Sequence, residues 1–269
     1  MKKLLLTFII IFFTFASNTV WSADFNKGLY AYESGDFATA LREWKPLAEK
    51  GDVGAQFWLG YMYSNAEGVL EDDKTAVKWY TLSAEQGDVS AQFNLGNMYR
   101  RGDGVLQDSK TAVKWYTLAA KQGSHYAQNN LGEIYYEGLG VPQDYKTALK
   151  WYRLAAEQGD PESQTSLSYM YATGQGVSVN SKTAEKWSRL AAENGNQRAQ
   201  FNLGWMYENG FGVIQDNVYA HMWSNIAASN GNERGIELRD RMAKEMTTAE
   251  IATAQKLARE CVAKNYKGC

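Results

Sequence analysis

Displaced against itself by 36 residues, the chain brings Trp79, Trp115, Trp151, Trp187 and Trp223 into one column. The same offset aligns Leu59, Leu95, Leu131, Leu167 and Leu203, then Tyr63, Tyr99, Tyr135, Tyr171 and Tyr207. A third series of glycines runs Gly51, Gly87, Gly123, Gly159, Gly195 and Gly231. A period of this length marks stacked supersecondary units, each of which buries its apolar face against the next. The 269 residues therefore need no single central core, although they exceed the usual size of one. An aromatic share of 13% and only three prolines argue against disorder.

Each unit reads as two helices. Asp52, Asp88, Ser124, Asp160 and Asn196 stand where a side-chain oxygen would cap the first helix, and Pro161 takes the first helical position of unit four. Within the first helix Ala55, Leu59, Met62 and Tyr63 form one apolar stripe at i, i+4, i+7 and i+8. Glycines at 68, 104, 140, 176 and 212, each followed by valine, mark the turn. Asp72, Asp108, Asp144, Asn180 and Asp216 cap the second helix, along which Ala76, Trp79, Tyr80 and Ala84 recur in near-equivalent form. In this reading the alanines admit the neighbouring helix and the indole fills the space between. The glycine that opens the next unit stops the helix in a left-handed conformation.

Five units thus span 52–231, the centre of an all-α, α–α superhelix. Residues 24–51 form a degenerate opening pair, with Phe25, Leu29, Tyr30 and Phe37 at its apolar positions. Residues 232–269 form closing helices, one from about Glu233 to Lys244 and another introduced by Thr247 or Thr248. Thr247 and Glu250 make a capping-box pattern.

Lys2 and Lys3 precede an apolar run from Leu4 to Ala16 and then small and polar residues up to Ser22-Ala23, the pattern of a signal peptide over 1–23. The run is shorter than the roughly 20 residues that a membrane-crossing helix needs. No cysteine lies near the junction to carry a lipid. A soluble protein of the periplasm or the extracellular space is expected, not one embedded in a membrane. Loss of Lys2 and Lys3 takes the formal charge from −2 to −4 and leaves no basic block. That disfavours nucleic acid, whose phosphates need a positive surface, and anionic membranes on the same ground.

The run Ala-x-x-x-Leu-Gly-x-x-Tyr, Gly-Val-x-x-Asp, Ala-x-x-Trp-Tyr-x-x-Ala-Ala-x-x-Gly, seen from Ala91 to Gly123, resembles the Sel1-like repeat family, relatives of the tetratricopeptide repeat. It covers nearly all of the chain beyond the signal peptide. Departures are Ser168 for the glycine of the Leu-Gly pair, Ser163 for the leading alanine, and Ala66 for a loop glycine. The resemblance implies a right-handed solenoid and adaptor or scaffold work in or beyond the bacterial envelope, without a cofactor. Fold analogy alone does not fix the partner.

Chemistry has few possible makers. His125 begins a first helix, and His221 stands in the column of Val77, Val113 and Leu149, with no evident partner for either. Cys261 and Cys269 are eight residues apart. In an oxidising compartment they suggest a disulfide that pins the tail, with intermolecular bonding or two free thiols as alternatives. The cysteine-rich branch of the family is associated with β-lactam binding or hydrolysis and carries a cysteine pair in each repeat. This chain has none there, so an enzyme is the least favoured reading. The carboxylates of Glu71-Asp72-Asp73 are accounted for by capping and solvation.

Columns that vary while keeping to one helical face are the binding candidates. Positions 54, 57, 61 and 64 lie opposite the Leu59 stripe. The column at 61 reads Tyr61, Asn97, Glu133, Tyr169 and Trp205; the column at 57 reads Phe57, Phe93, Asn129, Thr165 and Phe201. By similarity to tetratricopeptide arrays this side is the concave groove, suited to a protein or peptide partner. Packing of Phe57, Phe93 and Phe201 against an adjacent unit is the alternative for the second column. Glycan is a second ligand class, because Tyr169 and Trp205 could stack on sugar rings.

Overall fold

The computed structural model describes residues 23–269, so the signal peptide expected over 1–23 lies almost wholly outside the described residues. Among these residues there are fourteen α-helices and no strand. An opening pair, α1 (Phe25–Glu33) and α2 (Phe37–Glu49), precedes five two-helix units. These are α3 (Val53–Ser64) with α4 (Asp73–Glu85), α5 (Val89–Arg101) with α6 (Ser109–Lys121), and α7 (His125–Glu137) with α8 (Tyr145–Glu157). The last two are α9 (Pro161–Thr173) with α10 (Ser181–Glu193) and α11 (Gln197–Asn209) with α12 (Asn217–Ser229). Helices α13 (Glu233–Ala243) and α14 (Thr248–Ala263) close the chain. Each helix packs on the next through α13, giving an all-α solenoid.

The caps explain where each helix begins. Asp52, Asp88, Ser124, Asp160 and Asn196 each accept a hydrogen bond from the backbone N–H three residues on, a device worth about 1 kcal/mol. Asp72, Asp108 and Asp144 cap the second helices and also accept from the Thr75, Thr111 and Thr147 hydroxyls at 2.6–2.7 Å. Those threonine bonds hold the three carboxyls below their ordinary range. Thr247 and Glu250 close a capping box at the start of α14. The turn glycines serve two purposes. Gly104 has φ +68°, and a Cβ there would lie 2.4 Å from the backbone of Asp73, at the start of the preceding unit's second helix. Ala66 adopts φ +56° where the other units have glycine, a strained conformation for a residue with a Cβ.

The core follows the repeat with two corrections. Leu59, Leu95, Leu131, Leu167 and Leu203 are fully buried, each contributing about 1.5–3 kcal/mol. The indoles are not uniformly the filling. Trp223 is fully buried and Trp79 nearly so, but Trp115, Trp151 and Trp187 are half-exposed. The side chains wedged between paired helices are Tyr80, Tyr116 and Tyr152, whose rings lie over Gly60, Gly96 and Gly132. A Cβ on any of these glycines would come within 2.5–2.7 Å of the ring. Tyr30 is also corrected: it is 74% exposed, and the opening pair is organised around buried Trp44.

A buried glutamine ties each unit to the one before. The side-chain amides of Gln56, Gln92, Gln128, Gln164 and Gln200 donate to the carbonyls of Ala48, Ala84, Ala120, Ala156 and Ala192 at 3.0–3.3 Å. Their Oε1 atoms accept from Gln86, Gln122, Gln158, Asn194 and Asn230. Deleting one such amide would strand a buried carbonyl at about 1–3 kcal/mol.

First helices of neighbouring units touch, as in α3 with α5, α7 with α9 and α11 with α13. No two neighbouring second helices from α4 to α12 approach as closely. The first helices therefore line the inner side of the curve. At the C-terminal end α14 departs from the pattern and packs chiefly on α12. Cys261 and Cys269 are joined by a disulfide. The tail they pin lies against α10 and α12: Tyr266 meets Asn230, and Lys267 Nζ donates to Asn194.

Candidate binding hollow

The inner face is not equally open along its length, because the buried tyrosine series stops after unit three. Its successors are Ser188 and Ser224. In unit four Ser188 pairs with Ser168 across the helix contact at 2.6 Å, so the departure at 168 is matched by its partner. In unit five Gly204 lies directly on the backbone of α12, about 3.2 Å from Ala220 and Ser224 to a built Cβ. Where the rings end, a hollow of about 710 Å³ opens, walled at its N-terminal side by Tyr152 and Tyr136. A second, of about 390 Å³, adjoins it along Trp205, Arg234 and Arg241.

This divides the candidates. Asn129, Glu133, Thr165, Tyr169 and Phe201 line the larger hollow, and Phe201 and Trp205 line the smaller. Tyr169 and Trp205 are 51% and 41% exposed. Phe57, Tyr61, Phe93 and Asn97 line neither. Tyr61 packs within an aromatic cluster with Tyr32, Phe57 and Trp58, at ring separations of 5.8–6.4 Å. Phe93 lies between Tyr116 and Tyr126. Asn97 accepts from the Tyr116 hydroxyl at 2.7 Å and from Asn130 at 3.4 Å. Within the hollow Asn129 accepts from Ser163, Glu133 pairs with Arg100 at 3.5 Å, and Thr165 is buried.

Several charged residues of the hollow were missed, Glu162, Arg198 and Arg234 among them. Glu162 is held by Arg198 at 2.6 Å and Asn196 at 2.7 Å. Arg234 stacks 5.7 Å over the Phe201 ring, with no carboxylate in ion-pair range among the described residues, and borders both hollows. The signal was available: Glu162, Arg198 and Arg234 continue the column of position 54 at the same 36-residue step. Burial raises the Tyr136 and Tyr152 hydroxyls above their ordinary range, so both remain phenols. Tyr136 donates to Gln175 at 2.7 Å. The result is a concave surface of exposed rings, amides and charges of both signs, in which Arg234 and the carboxylates of Glu137 and Glu233 make no ion pair among the described residues.

Nothing gathers for metal chemistry: no group of three or more His, Cys, Asp or Glu converges among the described residues. His125 faces Asp160 at 3.7 Å on the surface, whereas His221 is buried under the C-terminal helices. No described helix is long and apolar enough to cross a membrane.

The Sel1 repeat model matches residues 53–88, 89–124, 125–160, 161–196 and 197–232. The chain belongs to the Sel1 repeat family. A Sel1 repeat protein from Oxalobacter formigenes is similar in structure with a TM-score of 0.79 and 31% identity, over 88% of this chain and 99% of that one. A protective antigen of uropathogenic Escherichia coli with the same repeat fold is 26% identical over 90% of this chain and 69% of that one, at a TM-score of 0.44. A Sel1 repeat protein from Klebsiella pneumoniae is 22% identical over 74% and 97%, at 0.45. Among curated proteins none matches the sequence. Sel1 repeat proteins are generally non-catalytic scaffolds for protein interaction.

Proposed function

We propose that this Sel1 repeat protein is an exported scaffold that holds an extended segment of a partner protein in the hollow formed by units three to five and α13. The observation that carries the reading is the hollow of about 710 Å³ on the inner side of units three to five and the start of α13, at the end of the stack beyond the last buried tyrosine, Tyr152. Exposed Tyr169 and Trp205 supply amphipathic anchors. Arg234 on the Phe201 ring offers a fixed fork to a carboxylate or backbone carbonyl. Export is supported by the leader pattern of residues 1–23 and by the Cys261–Cys269 bond, which suits an oxidising compartment.

A triple variant, Tyr169→Ala, Phe201→Ala and Arg234→Ala, tests the reading by crosslinking in cells and recovery from the envelope fraction. A protein recovered with the native chain and lost with the variant, at unchanged helical circular dichroism, is the expected result. Equal recovery with both would remove the hollow from the account. A glycan recovered in place of protein would favour the second reading, which rests on the exposed rings of Tyr169 and Trp205.

A further inference from the structure

The opposite side of the stack carries a different pattern. Along the second helices, the residues pointing away from the core include two rows of lysines, all exposed. One row runs Lys74, Lys110, Lys146 and Lys182; the other, one turn on, runs Lys78, Lys114, Lys150 and Lys186. Beside them Leu82, Leu118 and Leu154 are 37%, 44% and 38% exposed. Position by position, α12 replaces this set with Val218, Met222 and Ile226, and Ile226 is only 1% exposed. The reason is α14, which lies across α12 and sets Ala254, Ala258 and Cys261 in the same core as Met222, Trp223 and Ile226.

On the fifth unit the corresponding surface receives an amphipathic helix with a stripe of small apolar side chains. Units one to three present the same leucine position uncovered, with lysines where α12 has valine and methionine. Among the described residues no lysine of either row has a carboxylate within ion-pair range. Glu185, on the same side, is taken by Arg189 at 2.6 Å. The nearby cap carboxylates Asp72, Asp108 and Asp144 are occupied by their threonines, with Lys74, Lys114 and Lys146 acting on them only as lesser charges. Lys78 and Lys150 stand 5.2 and 5.4 Å from the Trp79 and Trp151 ring centroids, so the indoles help hold the ammonium groups in place.

We propose that the outward face of α4, α6 and α8 docks an amphipathic helix of a partner protein whose small apolar stripe is flanked by carboxylates. The leucines supply burial, and the lysine rows set orientation and specificity. An anionic bilayer fits less well. Glu71, Asp72 and Asp73 at one edge, with Glu85 and Glu157 at the other, would meet the headgroups with like charge. This surface lies across the stack from the hollow, so the two readings stand or fall separately.

The probe is a labelled peptide of residues 248–263 carrying Cys261→Ala, with Gln255→Glu and Val262→Glu placing carboxylates beside the apolar stripe. It is titrated against the full chain and against a triple Lys78→Glu, Lys114→Glu, Lys150→Glu variant, whose exposed positions leave the fold intact by circular dichroism. Saturable, salt-sensitive binding to the native chain, weakened at least about tenfold by charge reversal, is expected, with no binding to phosphatidylcholine–phosphatidylserine vesicles. The proposal is overturned by absence of saturable peptide binding, by binding indifferent to the charge reversal, or by lysine-dependent binding of vesicles in place of peptide.

Discussion

Units one to three and units four to five pair their helices in two different ways on one repeat. In the first group a glycine on the first helix receives a tyrosine ring from the second, and the phenol reaches through to the inner face. There the Tyr80 hydroxyl accepts from Asn94 and the Tyr116 hydroxyl donates to Asn97. In the second group two serines meet across the contact, or a glycine lies on bare backbone closed by Leu238 of α13. The helices still pair, but no tyrosine of the series reaches through to the inner face. The hollow thus lies at the end of the stack where the tyrosine series has stopped, while the leucine and glutamine columns that hold the stack together continue unchanged.

The comparison can be broken most severely at Tyr116, which is fully buried. Tyr116→Ala should cost about 3–5 kcal/mol and lower the urea midpoint strongly, whereas Ser224→Ala at the matching position of unit five should cost less than about 1 kcal/mol. Equal midpoint shifts would show that the two pairings bear the same load. A smaller effect tests the complementarity of the serine pair. Ser188→Tyr alone drives a ring into Ser168 and should cost about 1–3 kcal/mol; adding Ser168→Gly should restore most of it, a non-additivity read from a double-mutant cycle. The restored ring should also diminish partner capture by the hollow.

The smallest effect concerns His221, alone in its column in being buried, with Arg239 and Asp240 of α13 nearby. Burial, aided by the charge of Arg239, holds its pKa below the ordinary 6.5. The unfolded chain therefore binds a proton more readily than the folded one. Stability from this group is fully present above about pH 6.5 and is lost as pH falls below that value. His221→Leu should flatten the fall in melting temperature between neutral and mildly acid pH and leave stability at pH 7.5 within about 1 kcal/mol. An unchanged slope would assign the acid sensitivity to other groups.

Much of this was legible because a repeat compares each residue with its counterparts. Caps, turns, helix register and the closing capping box follow from side-chain chemistry at fixed positions, as at Asp72, Gly104 and Thr247. The choice between Trp79 and Tyr80 as the wedge was not legible. Adjacent residues on a helix differ by about 100°, and both are apolar enough to be inside. The five glutamines at 56, 92, 128, 164 and 200 were visible as a column, but their polarity hid a buried role that appears only when the acceptor carbonyl of the preceding unit is in place. Arg234 lay one further step of 36 along the column of Arg198, in a helix whose other residues depart from the repeat. The lysine rows escaped a search for basic blocks because successive members of each row stand 36 residues apart.

By itself, then, the sequence determined the helices, their pairing and the family, since periodicity and capping are local and are repeated often enough to be unmistakable. Only the tertiary structure decided which members of a varying column are free to bind. Phe57, Tyr61, Phe93 and Asn97 are engaged by neighbours from other helices, while Tyr169, Phe201 and Trp205 border space. The physical reason is that exposure belongs to the contact between units: a tyrosine present or absent on one helix sets what is reachable on the next, and α14 alone turns the outward face of α12 into core.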